Sequence, residues 1–124
     1  MNQKLVEILN HNSDSAVTIV TWNQESPHVV NSWNSFIQII DDNTLHIPAG
    51  GFNQTEENLL KQPAIILSIT SKVVPGFNNP GTGVIVEGIG KIITAGIALE
   101  NMKTKFPWAR AVLEVKITKT TQTM

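Results

Sequence analysis

The chain has 124 residues, 41% of them hydrophobic, with no cysteine and a formal net charge of −1 at pH 7. That length makes one domain, with room for one core and a surface on which a buried dimer interface would help. The composition excludes disulfides, thiolate metal sites and cysteine nucleophiles, gives no electrostatic case for nucleic acid or an anionic membrane, and offers no apolar run near the roughly 18 residues of a spanning helix.

Asn2 is placed to cap a first helix through about Asn10, with Leu5, Ile8 and Leu9 on one apolar face. Its flanks lack the basic, apolar and small-residue order of a signal peptide, so a cytoplasmic location is expected. Ala16 to Trp22 is β-branched and aromatic and reads as a strand. Asn23-Gln24-Glu25-Ser26 is a hairpin-type turn with Pro27 at its exit, and His28 to Ile40 follows as one long strand bent within its polar centre. Asp41-Asp42-Asn43 turns the chain into a short returning strand, Thr44 to Pro48. Gly50-Gly51 breaks the sheet, and Thr55 reads as the N-cap of a short helix that ends near Lys61, before Pro63.

Ala64 to Ser71 is a strongly apolar strand. Lys72 to Gly83, with three glycines and two prolines, reads as a loop. Val84 to Ile93 is a strand in which Gly88 and Gly90 permit a barrel-type bend. Ala98 to Lys105 is a helix stopped by Pro107, Trp108 to Thr118 the last strand, and Thr120 to Met124 a tail. Strands dominate and no repeat or domain boundary intervenes, so residues 1–124 are expected to form a small closed or split β-barrel with a few helices.

Two stretches carry chemistry. In Asn31-Ser32-Trp33-Asn34 small polar groups surround one indole on an extended strand, which suits a flat ligand with a polar tail. Pro48-Ala49-Gly50-Gly51 leads into a helix start with Gln54 and Thr55; glycines allow close backbone approach, and a helix N-terminus favours an anion. Together they read as a seat for a phosphorylated ring compound. Gly81-Thr82-Gly83 lacks the spacing of a dinucleotide fingerprint. His11, His28 and His46 show no metal-ligand spacing.

Asn31-Ser32-Trp33-Asn34-Ser35, Pro48-Ala49-Gly50-Gly51, Pro80-Gly81-Thr82-Gly83 and Trp108-Ala109-Arg110-Ala111, in that order and spacing, resemble the pyridoxamine 5'-phosphate oxidase-like FMN-binding split barrels. The resemblance implies a mainly β, Greek-key split barrel of about six strands with a few short helices, binding FMN at a two-fold homodimer interface. It implies Trp33 beside the flavin ring, and Asn31, Ser32 and Asn34 on the ribityl chain and phosphate. It further implies Gly50, Gly51, Gln54 and Thr55 at the phosphate, with Trp108 and Met124 reaching in from the partner. Relatives usually carry lysine where this chain has Gln54, so Lys72 becomes the candidate for the missing cation. Arg110, the single arginine, is expected in a surface or interface salt bridge.

The expected function is therefore electron transfer through non-covalently bound FMN, exchanged with an unidentified redox partner. With no cation in the Trp33 stretch, a potential below that of free FMN is expected. Two alternatives stand beside it: a pyridoxamine 5'-phosphate oxidase-like or flavin-reductase-like oxidoreductase, and a dimeric barrel that binds some other ligand. A second phosphate site would be hard to assemble around one arginine, which weighs against oxidation of a phosphorylated vitamer.

Overall fold

The computed structural model describes residues 1–124, in which seven antiparallel strands form one sheet with three short helices around it. The helices are α1 (Gln3–Asn10), α2 (Asn53–Lys61) and α3 (Ile97–Lys105). The strands are β1 (Ala16–Asn23), β2 (Ser26–Trp33), β3 (Gln38–Asp41), β4 (Thr44–Ala49), β5 (Ala64–Pro75), β6 (Pro80–Ile93) and β7 (Ala111–Gln122). They lie in the order β2-β1-β5-β6-β7-β4-β3. The number is seven rather than about six because the polar centre of the long strand breaks. Asn34–Phe36 forms one turn of 3-10 helix, and β2 and β3, though consecutive, end up on opposite edges of the sheet. Those unpaired edges are where the barrel is split.

Alternation along the strands aims one face inward. Val17 and Ile19 of β1, Leu45 and Ile47 of β4, Ile65, Leu67 and Ile69 of β5, Val84 and Val86 of β6, and Leu113 and Val115 of β7 make one core. Each fully buried Leu, Ile or Val adds about 1.5–3 kcal/mol to hydrophobic stabilisation. Leu5 and Ile8 of α1 belong to the same core, and the helix is capped as its sequence suggests: Asn2 Oδ1 accepts from the Leu5 amide at 2.9 Å. On the outer face, Leu99 and Met102 of α3 pack with Ala109 and Val112 in a second, smaller cluster.

Three boundaries differ from the sequence reading. The Lys72–Gly83 region is not a loop: β5 runs on to Pro75 and β6 starts at Pro80, leaving Gly76–Asn79 as the connection. An irregularity between Ser71 and Pro75 absorbs the mismatch, and the Ser71 hydroxyl accepts from the amides of Val73 and Val74. Thr55 is not the N-cap of α2; Phe52, in the left-handed region at φ 63°, holds that position without a side-chain cap. The tail is largely strand: β7 begins at Ala111 and continues to Gln122, and Thr82 Oγ1 donates to the Met124 carbonyl at 2.7 Å.

Candidate functional site

The register of the sheet builds a flat patch on its outer face. Trp33 at the end of β2 pairs with Ala16 of β1, and Thr70 of β5 pairs with Gly83 of β6. Thr123 then donates its amide to the Gly83 carbonyl, and the methyl of Met124 lies over Gly83, where a Cβ would meet it at 3.4 Å. Trp33 and Met124 line an open cleft of about 650 Å³ together with Ala16, Thr70 and Gly81, within the roughly 300–1,000 Å³ typical of small-molecule sites. Lys72, Ser71 and Thr82 complete one side, and Ser13, Asp14 and Ser15 the other. Half of the Trp33 surface is exposed, which is large for an indole on a regular strand.

The turn after Trp33 ties this cleft to the sheet. Burial alone would raise the Asp14 carboxyl, but hydrogen bonds from the Ser35 hydroxyl and amide and from the Ser15 amide hold it below the usual aspartate range. Asn34 is buried; its Nδ2 donates to the Thr70 carbonyl at 2.7 Å, while its Oδ1 has no partner. Asn31 and Ser32 are in the preceding strand. The Asn31 amide donates to the Val17 carbonyl and Thr18 Oγ1, and Ser32 is buried opposite Val17.

A second half-site lies at the start of α2. Pro48 and Ala49 are buried at the end of β4, paired with Val112 and Ala111. Arg110 donates its amide to the Ala49 carbonyl, and its guanidinium donates twice to the Gly51 carbonyl, at 2.9 and 2.6 Å, while pairing with Glu56 at 3.0 Å. The arginine thus makes a salt bridge within its own chain and fixes the Gly50-Gly51 turn. The first backbone bond of α2 runs from the Glu56 amide to the Phe52 carbonyl, so the amides of its first turn are uncapped. In that turn the Thr55 hydroxyl is fully buried with no partner. Two orphaned polar atoms, on Asn34 and Thr55, stand out because buried oxygens are normally satisfied.

Aromatic contact joins the halves. Trp108 packs on Phe36 and Phe106, with ring centroids 5.6 and 5.7 Å away, and lies over Gly50, where a Cβ would meet its ring at 3.2 Å. The Asn34–Phe36 turn therefore has Trp33 at one end and the Trp108–Gly50 contact at the other. Within a single chain the predicted residues form two groups. Trp33, Lys72 and Met124 line the cleft; Asn31, Ser32 and Asn34, next to Trp33 in sequence, do not, and neither does any of Gly50, Gly51, Gln54 and Thr55. Gln54 instead donates to Asn58, which donates to Thr21, and it faces a polar cleft with Trp22 and Lys61.

Sequence reasoning did not single out the His46–Glu114 pair, because 68 residues separate its members. His46 Nε2 and Glu114 Oε2 lie 2.9 Å apart on neighbouring β4 and β7, and Lys91 stands 3.7 Å from the other carboxylate oxygen. Burial pushes the Glu114 carboxyl up, but the His46 hydrogen bond and then the Lys91 charge outweigh it and hold the group below the ordinary glutamate value. A depressed folded-state pKa contributes stability that is present above the unfolded value, about 4.3, and lost as pH falls through the folded one. Glu114→Gln is expected to flatten the fall in melting temperature between about pH 5 and pH 3. Parallel wild-type and variant curves would exclude this contribution.

The family model described as pyridoxamine 5'-phosphate oxidase matches residues 1–124. A relative from Nitratidesulfovibrio vulgaris (strain Miyazaki F), named FMN-binding protein, is 34% identical over 112 residues, covering 90% of this chain and 91% of that one. Among solved structures, HupZ of Group A Streptococcus superposes with a TM-score of 0.77 at 16% identity, over 98% of this chain and 93% of that one. An FMN-binding protein from Syntrophomonas wolfei gives 0.76 at 15% identity, over 98% and 85%. At such identities the two structures speak for the fold alone.

Proposed function

The chain belongs to the pyridoxamine 5'-phosphate oxidase family, and from that premise we propose that it is a flavoprotein holding FMN non-covalently between two copies of itself and passing electrons through it. The observation that carries the reading is Thr55: a buried hydroxyl without a partner, in the first turn of an uncapped helix, beside a Gly-Gly turn. An anionic phosphate satisfies the hydroxyl and the free amides together. Gly50, Gly51 and Thr55 would hold that phosphate, with the Arg110 guanidinium braced behind the turn where Gln54 supplies no charge. Asn31, Ser32 and the free Oδ1 of Asn34 offer polar partners to a ribityl chain, and Trp33 offers its face to the ring. Bound FMN would supply the redox chemistry; the protein supplies position and electrostatics.

A homodimer explains why three large apolar side chains stay half exposed: Trp33 at 50%, Trp108 at 51% and Met124 at 52%. The partner's Trp108 and Met124 would close over the cleft beside Trp33 and exclude water from it. Titrating purified protein with FMN, followed by flavin absorbance and sedimentation, tests both parts. A protein that takes up no FMN overturns the flavin reading; one that binds FMN as a monomer overturns the shared site.

Two smaller effects follow. Thr55→Val removes an unsatisfied buried hydroxyl, so it is expected to stabilise the FMN-free protein by about 1 kcal/mol while weakening FMN binding about tenfold. Melting curves with and without FMN read both signs, and a variant that melts and binds like wild type removes Thr55 from the site. Lys72 lies on the wall of the Trp33 cleft, so a cation does stand near the indole although the Trp33 stretch has none. An ammonium there favours added negative charge on the ring. Lys72→Gln is expected to lower the midpoint potential by about 30 mV, equivalent to about 1.4 kcal/mol for two electrons. An unchanged or raised potential in a spectroelectrochemical titration argues against this placement.

A further inference from the structure

A cleft outside the flavin halves runs along α3 where it overhangs the β3–β4 edge. It encloses about 310 Å³, enough for a single-ring compound, and one face of α3 forms its length through Ile97, Ala98, Asn101, Met102 and Lys105. Gln38, Ile40 and His46 form the opposite wall. Its apolar parts are exposed: Ile97 shows 71% of its surface and Ile40 50%.

The polar part has one sign of charge. Lys105 Nζ donates to the side-chain oxygen Oε1 of Gln38 at 2.7 Å, a neutral partner that leaves its charge uncompensated. His46 has its Nε2 committed to Glu114, while its Nδ1 has no partner. Glu114 lies behind the imidazole, already paired with His46 and Lys91, and is not part of the lining. No carboxylate lines the cleft, and Glu100 of α3 is exposed elsewhere on the helix. An apolar slot with an ammonium and a carboxylate-braced imidazole at one wall complements an anion with a hydrophobic body.

We propose that the cleft between α3 and the β3–β4 edge binds a small amphipathic carboxylate, its apolar body against Ile40, Ile97 and Met102 and its carboxylate between Lys105 and His46. For Nδ1 to donate to the ligand while Nε2 donates to the Glu114 carboxylate, the ring in the complex must carry both protons; Glu114 is then a positioning residue that orients the ring. This site is independent of the flavin reading and uses none of its residues.

The test uses the full chain, isotope-labelled, with phenylacetate as the probe and phenethylamine as a control of the same shape and opposite charge. Phenylacetate is expected to shift the amide signals of Ile40, Ile97, Ala98, Asn101 and Met102 saturably, and phenethylamine to leave them in place. Lys105→Gln is expected to weaken phenylacetate binding about tenfold, about 1.4 kcal/mol. Because Lys105 is exposed, this variant should keep the fold. His46→Gln should weaken binding as well, with folding checked by the undisturbed signals of β5 and β6. Absence of saturable shifts, equal binding of the amine, or unchanged affinity in Lys105→Gln each overturns the proposal.

Discussion

Trp33→Ala is expected to weaken FMN binding by at least about thirtyfold, a loss of about 2 kcal/mol or more, while leaving the melting temperature of the FMN-free protein near its wild-type value. The two halves of that expectation come from the same observation. Half of the indole is exposed at the end of β2, opposite Ala16, and it is not among the residues of either apolar cluster. Removing it therefore opens no cavity in the core, the usual origin of large losses in stability. It does remove the largest flat apolar surface of the cleft, and an aromatic face in contact with a ring contributes through both burial and stacking. Trp33→Phe should fall between the two proteins. Trp108→Ala makes the contrast: that ring supports Phe36, Phe106 and the Gly50 turn, so its loss should lower stability as well as affinity. Quenching of flavin fluorescence during an equilibrium titration measures the affinities. A Trp33→Ala protein that binds FMN within about threefold of wild type would put the ring somewhere else.

Gly88→Ala is expected to be the more damaging change to the fold. A Cβ at Gly88 would lie 2.4 Å from the Lys116 carbonyl oxygen and 3.1 Å from Val115 Cγ1. The first of these is backbone and cannot swing aside. Gly88 also sits where the β6–β7 ladder slips register, between Glu87 and Gly88, so the two strands approach closely at a point of local distortion. Relieving the clash means parting β6 from β7 at the middle of the sheet, at a cost of about 3 kcal/mol or more, and a fall in melting temperature on the order of 10 °C. Gly51→Ala is the control, since nothing lies within 4 Å of a Cβ there and its φ is not positive. It should melt within a degree or two of wild type. Equal melting of the Gly88→Ala protein would mean that the strands can separate at little cost.

Much of the fold can be read locally. Asn2 caps α1, the apolar face of that helix faces the core, and β1 and β4 follow their β-branched and apolar runs closely. What escapes local reading is set by distant partners. Pro75 and Pro80 punctuate the sequence as loop residues, yet they face each other at the closed end of the β5–β6 hairpin, where the long ladder carries the chain past them. The Phe52 cap is invisible in sequence because an aromatic residue seldom takes a positive φ. The break at Asn34–Phe36 was legible as a polar interruption, but that β2 and β3 part to opposite edges follows only from the pairing of β1 with β5 and β4 with β7.

The candidate site divides in the same way. The motif around Trp33 and the Gly-Gly turn announce themselves by residue type. That Lys72 and Met124 line the cleft of Trp33 depends on the β5–β6 register and on the fastening of the chain end to Thr82. Arg110 reads as a lone charge; its hold on the Gly51 carbonyl depends on β7 lying beside β4.

A ladder whose outermost rails are neighbours in the chain has a consequence for assembly. The β1–β2 and β5–β6 hairpins each need only nearby residues to meet, and Asn34 and Ser35 are held by Ser15 and Asp14 just ahead of β1, whereas the contact of Phe36 with Trp108 bridges segments far apart in the chain. Loop-closure cost thus accumulates before that aromatic contact forms. The tilted contact of Phe36 with Trp108 then belongs among the last things to form on refolding and the first to loosen on heating, so the two halves of the pocket would come apart before the barrel itself does.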